Sequence, residues 1–127
     1  MRPIVLTVDD EPDVIALVRF HLARAGYEVM TAASGREALE AIRLRRPDLV
    51  VLDLMLPDID GFGVCEILRR TAATAAIPII ILSAWSTPDA RLLGLDLGAL
   101  DYVSKPFSPK DLVARVFKLL PPAALPA

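Results

Sequence analysis

A chain of 127 residues fits one domain and can bury about two-thirds of the surface its unfolded form exposes. Hydrophobic residues at 54% argue against a disordered chain, and a net charge of −2 argues against the clustered Lys and Arg of a nucleic-acid-binding surface. The single cysteine, Cys65, excludes an internal disulfide, the apolar start before Asp9 is too short for a signal peptide, and no apolar run approaches a membrane span. The expectation is a cytoplasmic domain that contacts neither membrane nor nucleic acid.

Residues 3–8 are a short β-branched run, read as a strand buried on both faces. Pro12 stands where a first helical turn tolerates proline, and Val14, Leu17, Val18 and Leu22 recur at helical spacing until Gly26, a helix stop. Residues 27–31 make a second strand. Ser34-Gly-Arg-Glu37 has the form of a capping box and opens a helix with Ala38, Leu39 and Ile42 on its inner face. Leu49–Leu52 is a third strand that ends at Asp53. Pro57-Asp-Ile-Asp-Gly61 is turn chemistry, followed by a helix to Arg70 that carries Cys65 as a packing residue. Residues 77–82 are the most apolar strand and belong near the middle of the sheet. Thr87-Pro88 starts a fourth helix that stops at Gly98. Its core-facing stripe is read through Leu92 and Ala99, with a second apolar row of Leu93, Leu97 and Leu100 offset from it. Residues 100–104 are a fifth strand. Ser108-Pro109-Lys110-Asp111 caps a fifth helix that Pro121-Pro122 ends. The domain is placed at residues 1–120, with 121–127 as a Pro- and Ala-rich tail or the start of a linker. Five strands alternating with five helices imply an α/β domain, a parallel sheet covered on both faces.

In an open α/β sheet, ligands bind beyond the carboxyl ends of the strands. Asp9 and Asp10 follow the first strand, Asp53 ends the third, Ser83 follows the fourth and Lys105 the fifth. Each taken alone has a bland reading as a turn, cap or loop residue, and Asp9-Asp10-Glu11 would favour the dipole of the helix that follows. Five polar groups converging on one edge reverse that reading. Three adjacent carboxylates repel unless a cation offsets them, and oxygen-only ligands favour a hard ion such as Mg²⁺. A carboxylate can also attack a phosphoryl group to give an acyl phosphate, with an ammonium and a hydroxyl steadying the transferring oxygens.

The motifs Val8-Asp9-Asp10-Glu11, Leu52-Asp53-Leu-Met-Leu-Pro57, Asp60-Gly61, Leu82-Ser83-Ala84, Gly98-Ala99, Asp101-Tyr102 and Lys105-Pro106-Phe107 resemble, in order and spacing, the receiver domain of two-component response regulators. The resemblance implies a flavodoxin-like doubly wound (βα)5 fold with strand order 2-1-3-4-5. It implies that Asp53 accepts a phosphoryl group from a histidine kinase or phosphotransfer protein. Asp10, Asp53 and the backbone carbonyl of Met55 would hold Mg²⁺ (or Mn²⁺), with Asp9 reached through water. Ser83, the Ala84 amide and Lys105 would contact the phosphoryl oxygens. Lys105-Pro106 is expected to be cis, and Tyr102 matches an aromatic switch residue that moves inward when Ser83 shifts toward the phosphoryl group; its bland reading is a half-buried aromatic on an edge strand. Such a domain catalyses its own phosphorylation and slow dephosphorylation but is not otherwise an enzyme. Met55 and Trp85 stand at positions that flank the path of the hydrolytic water, and their bulk implies slow phosphate loss.

Residues 105–116 resemble the winged-helix transcription-factor subclass, whose receivers dimerise through the fourth helix, fifth strand and fifth helix. Arg91 with Asp111 and Asp101 with Arg115 are placed like its intersubunit ion pairs, and Leu95 and Leu112 like its apolar contacts. Leu93, Leu100 and Phe117 depart from the pattern by standing where charged residues are usual. His21, on the first helix, is read as a surface residue. Other classes fit less well. A Mg²⁺-dependent phosphatase with an Asp nucleophile would want an acid where Met55 stands, and a flavin or dinucleotide carrier would want a Gly-rich phosphate loop after the first strand. A stand-alone regulator acting by protein contact remains an alternative to the receiver of a longer transcriptional regulator.

Overall fold

The computed structural model describes residues 2–122. In chain order it has β1 (Ile4–Val8), α1 (Pro12–Arg24), β2 (Glu28–Ala32), α2 (Gly35–Leu44), β3 (Leu49–Leu52), α3 (Gly61–Arg70), β4 (Ile79–Ser83), α4 (Pro88–Asp96), β5 (Asp101–Ser104) and α5 (Pro109–Leu119). The five strands form one parallel sheet of order β2-β1-β3-β4-β5, as the resemblance implies. Every residue of β3 and β4 is buried, because helices cover both faces. On one face Leu6, Val50, Leu52 and Ile81 pack with Ala38, Val64 and Leu68 of α2 and α3. On the other, Val5, Val51, Ile80 and Leu82 pack with Val18, Leu22, Leu112 and Val116 of α1 and α5. Each such Val, Leu or Ile side chain contributes about 1.5–3 kcal/mol of transfer free energy.

Local chemistry sets the element ends. Ser34, Asp60, Thr87 and Ser108 each accept a backbone N–H at the start of a helix. Gly26 and Gly98 follow α1 and α4 with φ of 104° and 102°, a conformation that L side chains rarely adopt. Four strands, β1, β2, β4 and β5, start later than their composition suggests, and for two of them the hydrogen bonds show why. The Tyr27 N–H bonds to the Leu22 carbonyl, and its hydroxyl donates to the Leu120 carbonyl (2.6 Å), so Tyr27 pins α1 to the end of α5 instead of joining β2. Ile77 closes a turn onto Thr74, and Pro78 then delays β4 to Ile79. Of the expected tail, residues 123–127 lie outside the described residues.

The expected inner stripe of α4 is corrected. Ala90 and Gly94 face the core, whereas Leu92 is 60% exposed. Ala99 is buried as expected, but Leu97, assigned to the outer row, packs against the core. The reason is steric. A Cβ on Gly94 would lie 2.6 Å from Ile81 Cδ1 and 3.3 Å from the Tyr102 ring, so the helix seats on the sheet through its smallest residues. Its leucines are left outside: Leu92, Leu93 and Leu95 are all exposed.

Candidate functional site

Backbone hydrogen bonds continue the sheet beyond its strands and place the polar residues. The Asp9 N–H bonds to the Ala32 carbonyl, that of Asp53 to the Val8 carbonyl, and that of Lys105 to the Ser83 carbonyl. Val8 pairs with Leu52, and Ser83 with Ser104, so the groups after β1, β3 and β5 share one edge with the end of β4. Residues 96 positions apart in sequence thus meet directly. Lys105 Nζ lies 2.8 Å from Asp9 Oδ2, 3.1 Å from Asp53 Oδ2 and 3.0 Å from Glu11 Oε1. Asp9 and Asp53 are each 3% exposed, while Asp10 faces solvent.

Three carboxylates therefore surround one ammonium, with Asp10 beside them on the solvent side. Burial pushes Asp9 above the usual carboxylate range and the Asp53 charge adds to this, against the opposing hydrogen bonds from Lys105 and the Glu11 amide. Burial pulls the Lys105 ammonium down, but its hydrogen bonds to Asp9, Glu11 and Asp53 outweigh that and raise it overall. One carboxylate oxygen from each of Asp9, Asp10 and Asp53 lies within 4.8 Å of the others. An all-oxygen donor set with excess negative charge suits a hard divalent cation. Asp53 Oδ1 also accepts the Met55 N–H at 3.1 Å, which brings the Met55 backbone beside the Asp53 carboxylate.

The other expected groups lie on the same edge. Ser83 is buried and its Oγ accepts the Trp85 N–H at 3.2 Å; Ala84 is exposed beside it. Lys105-Pro106 is cis. Tyr102 is 4% exposed, so it is a buried residue and not a half-buried one. Its hydroxyl donates to the Trp85 carbonyl, and the Arg91 guanidinium lies 5.0 Å from its ring centroid. A groove of about 820 Å³ opens at Asp9 and Asp10 and runs along α1 past Phe20 to Arg24.

The residues expected at an interface are arranged within the chain. Arg115 bonds Asp101 at 2.7 Å and Asp111 at 3.0 Å, and Arg91 donates to Ser104 Oγ at 2.7 Å. Leu95 is exposed, but Leu112 is only 1% exposed in the core, so Leu112 is withdrawn as a surface contact: it points to the sheet from the inner face of α5. Leu93, Leu100 and Phe117 are exposed. His21 is half-buried, edge-on to Phe20 at 5.2 Å. Cys65 is buried and its thiol pushed up to about 11 by burial, which fits packing.

Two residues of the site's surroundings are not legible as such in the sequence. Glu11 favours the helix dipole but is also a third partner of Lys105, and the acidic triplet is its signal. Asp58 stands in turn chemistry but accepts the Gly35 and Arg36 N–H groups at 2.8 and 2.9 Å and caps α2 from a distance. Spacing carries no signal for a cap that comes from another segment.

Comparison with known proteins agrees with the geometry. The family model of the response regulator receiver domain matches residues 5–117. The alkaline phosphatase synthesis transcriptional regulatory protein PhoP of Bacillus subtilis is 45% identical over 94% of this chain and 49% of its own length. The DNA-binding response regulator MtrA of Mycolicibacterium smegmatis is 46% identical over 91% of this chain and 50% of its own. The chain thus spans about half the length of these curated relatives. Among solved structures, the chemotaxis protein CheY4 of Vibrio cholerae superposes with a TM-score of 0.89 at 33% identity, over 94% of this chain and all of that one.

Proposed function

The chain belongs to the response regulator receiver domain family, and from that premise we propose that Asp53 takes a phosphoryl group from the phosphohistidine of a kinase or phosphotransfer protein. As the receiver domain of a two-component system it is a signalling module and not a member of a classical enzyme family; its part in its own phosphorylation is our proposal. The observation that carries it is a buried carboxylate held 3.1 Å from the Lys105 ammonium, with two further carboxylates beside it. An Asp53 oxygen attacks phosphorus as the donor's P–N bond breaks, leaving neutral imidazole after proton uptake and an acyl phosphate on Asp53. Lys105 can then exchange an Asp53 oxygen for a phosphoryl oxygen, while Ser83 and the Ala84 amide donate to the other oxygens. Asp10, Asp53 and the Met55 carbonyl would hold Mg²⁺ or Mn²⁺, with Asp9 bound through water. Bound there, the ion would offset charge on the transferring group. The groove along α1 leads a donor to these carboxylates.

Phosphorylation adds about −1.5 to −2 charge and three acceptor oxygens. Ser83 is drawn to them, and because Ser83, Trp85 and Tyr102 are joined by hydrogen bonds, the change reaches β5 and α4. Met55 and Trp85, both exposed, would slow attack by water on the acyl phosphate. The output is proposed to pass through the face of α4, β5 and α5, with Arg91, Leu95, Asp101, Asp111 and Arg115 at a contact between two copies. Arg115 would exchange its internal partners for the second copy's. The length of the relatives supports a role as the regulatory part of a transcriptional regulator. Incubation with a small acyl phosphate and Mg²⁺, read by intact mass, tests the chemistry. One added phosphoryl group is expected on wild type and none on Asp53→Ala; an adduct that survives in Asp53→Ala would overturn it.

A further inference from the structure

Beyond the residues that touch the phosphoryl group, one side chain spans the two loops that frame the site. Phe62, in the first turn of α3, meets Trp85 edge to face, with ring centroids 5.3 Å apart and an interplanar angle of 69°. Both ends of this contact are registered to the chemistry. On the α3 side, the Gly61 N–H bonds to the Leu54 carbonyl at 2.9 Å, and a Cβ on Gly61 would lie 2.5 Å from the Asp53 carbonyl oxygen and 2.6 Å from Leu54 Cα. The start of α3 is therefore pressed against the backbone of the phosphoacceptor, and Phe62 is the next residue. On the other side, the Trp85 amide donates to Ser83 Oγ, and the Trp85 carbonyl accepts from the Tyr102 hydroxyl. One residue thus holds the hydroxyl that meets the phosphoryl group and the aromatic that reports on it.

We propose that Phe62 is a positioning residue of the switch: it holds the Trp85 indole against α3, and through the Trp85 backbone it keeps Tyr102 in its inward place. This rests on the receiver reading, in which Tyr102 exchanges between outward and inward places and phosphorylation favours the inward one, which the resting chain already occupies here. The Trp85 side chain is 44% exposed, and Phe62 itself packs against the core, so the anchored partner steadies the loose one. Removing the ring leaves the Trp85 peptide free to shift and separates the Tyr102 hydroxyl from its acceptor. An edge-to-face aromatic pair is worth enough to change a two-state equilibrium by about 2- to 12-fold.

The chain contains only two tyrosines, Tyr27 and Tyr102, so 3-fluorotyrosine labelling gives two fluorine resonances, assigned with a Tyr102→Phe variant. In the resting protein, Phe62→Leu should lower the inward-to-outward ratio of Tyr102 by about 2- to 12-fold. Phe62→Tyr, which keeps the ring, should restore it to within about twofold. Ile42→Ala, in the same core but on α2, serves as a control for lost packing. An unchanged Tyr102 resonance in Phe62→Leu, or an equal shift in Ile42→Ala, would overturn the proposal. Intact mass after acyl phosphate treatment of the same samples reports separately on the receiver reading. A wild type that takes no phosphoryl group sinks that reading, whereas the resting-state comparison still decides the role of Phe62.

Discussion

The carboxylate edge and the α4–β5–α5 face are built on opposite plans. At the edge, Asp9 and Asp53 are buried, and they and Lys105 are each held by a main-chain bond that runs one step past its strand. On the α4 face, small residues are buried and large apolar ones point to solvent. The first plan holds charges that repel in one place. The second leaves a helix seated by Ala90 and Gly94, with Arg91 laid over Tyr102 as a cover. Chemistry is placed by rigid backbone, and the surface that would report it rests on a thin layer of side chains.

Removing Lys105 should break this contrast most severely. In Lys105→Ala the carboxylates of Asp9 and Asp53 lose their shared cation, and loss of one partner from a buried ion pair costs about 3–5 kcal/mol. Urea denaturation in chelator should show this loss, Mg²⁺ should recover part of it, and phosphorylation should slow about 10²- to 10³-fold. A variant as stable as wild type in chelator would show that the ammonium is not what holds the cluster together.

The α4 seat should respond next. Gly94→Val drives a side chain into Ile81 and Tyr102 and should cost about 1–3 kcal/mol in the same assay. Leu92→Ser on the outer face should stay within about 0.5 kcal/mol of wild type. Reversed sizes would restore the inward stripe that α4 lacks here.

Asp9 sharpens the comparison through pH. Its folded-state value lies above the ordinary 3.8, so its contribution to stability is fully present below the unfolded value and lost as pH rises through the folded one. Asp9→Asn, which cannot ionise, should therefore melt higher than wild type near neutral pH in chelator, and the gap should close as pH falls toward 3.8. A wild type that melts higher at neutral pH would mean that the Lys105 contact outweighs burial.

Asp58 should give the smallest effect and the opposite sign. Hydrogen bonds from the Arg36 amide and then its neighbours hold it at about 2, so its contribution is present above the unfolded value of 3.8 and lost as pH falls through about 2. Asp58→Ala should lower Tm by about 5 °C at neutral pH, a difference that shrinks in acid. No pH dependence of that difference would place its cause in the turn and not in the carboxylate.

Much of the edge was legible because its groups follow strands directly. A polar residue after an apolar β-branched run is placed by its own segment, so Asp9, Asp53, Ser83 and Lys105 could be assigned to one edge before any contact was seen. The α4 face was not legible in this way. Leu92 and Leu97 are both apolar at helical spacing, and periodicity names a stripe without saying which stripe touches the sheet. That depended on Gly94 meeting Ile81 and Tyr102, residues from two other elements. The same holds for Arg91 and Arg115, whose partners in the folded chain include Tyr102, Ser104 and Asp101.

The sequence by itself determined the alternation of strands and helices, the family and the polar set at the strand ends, since each follows from the local order of residue types. Only the tertiary structure decided how α4 is rotated, that Glu11 joins Lys105, that Asp58 caps α2, and that Phe62 reaches Trp85. These depend on distances between segments far apart in the chain. Steric fit and hydrogen-bond geometry act through space, and no local pattern records them.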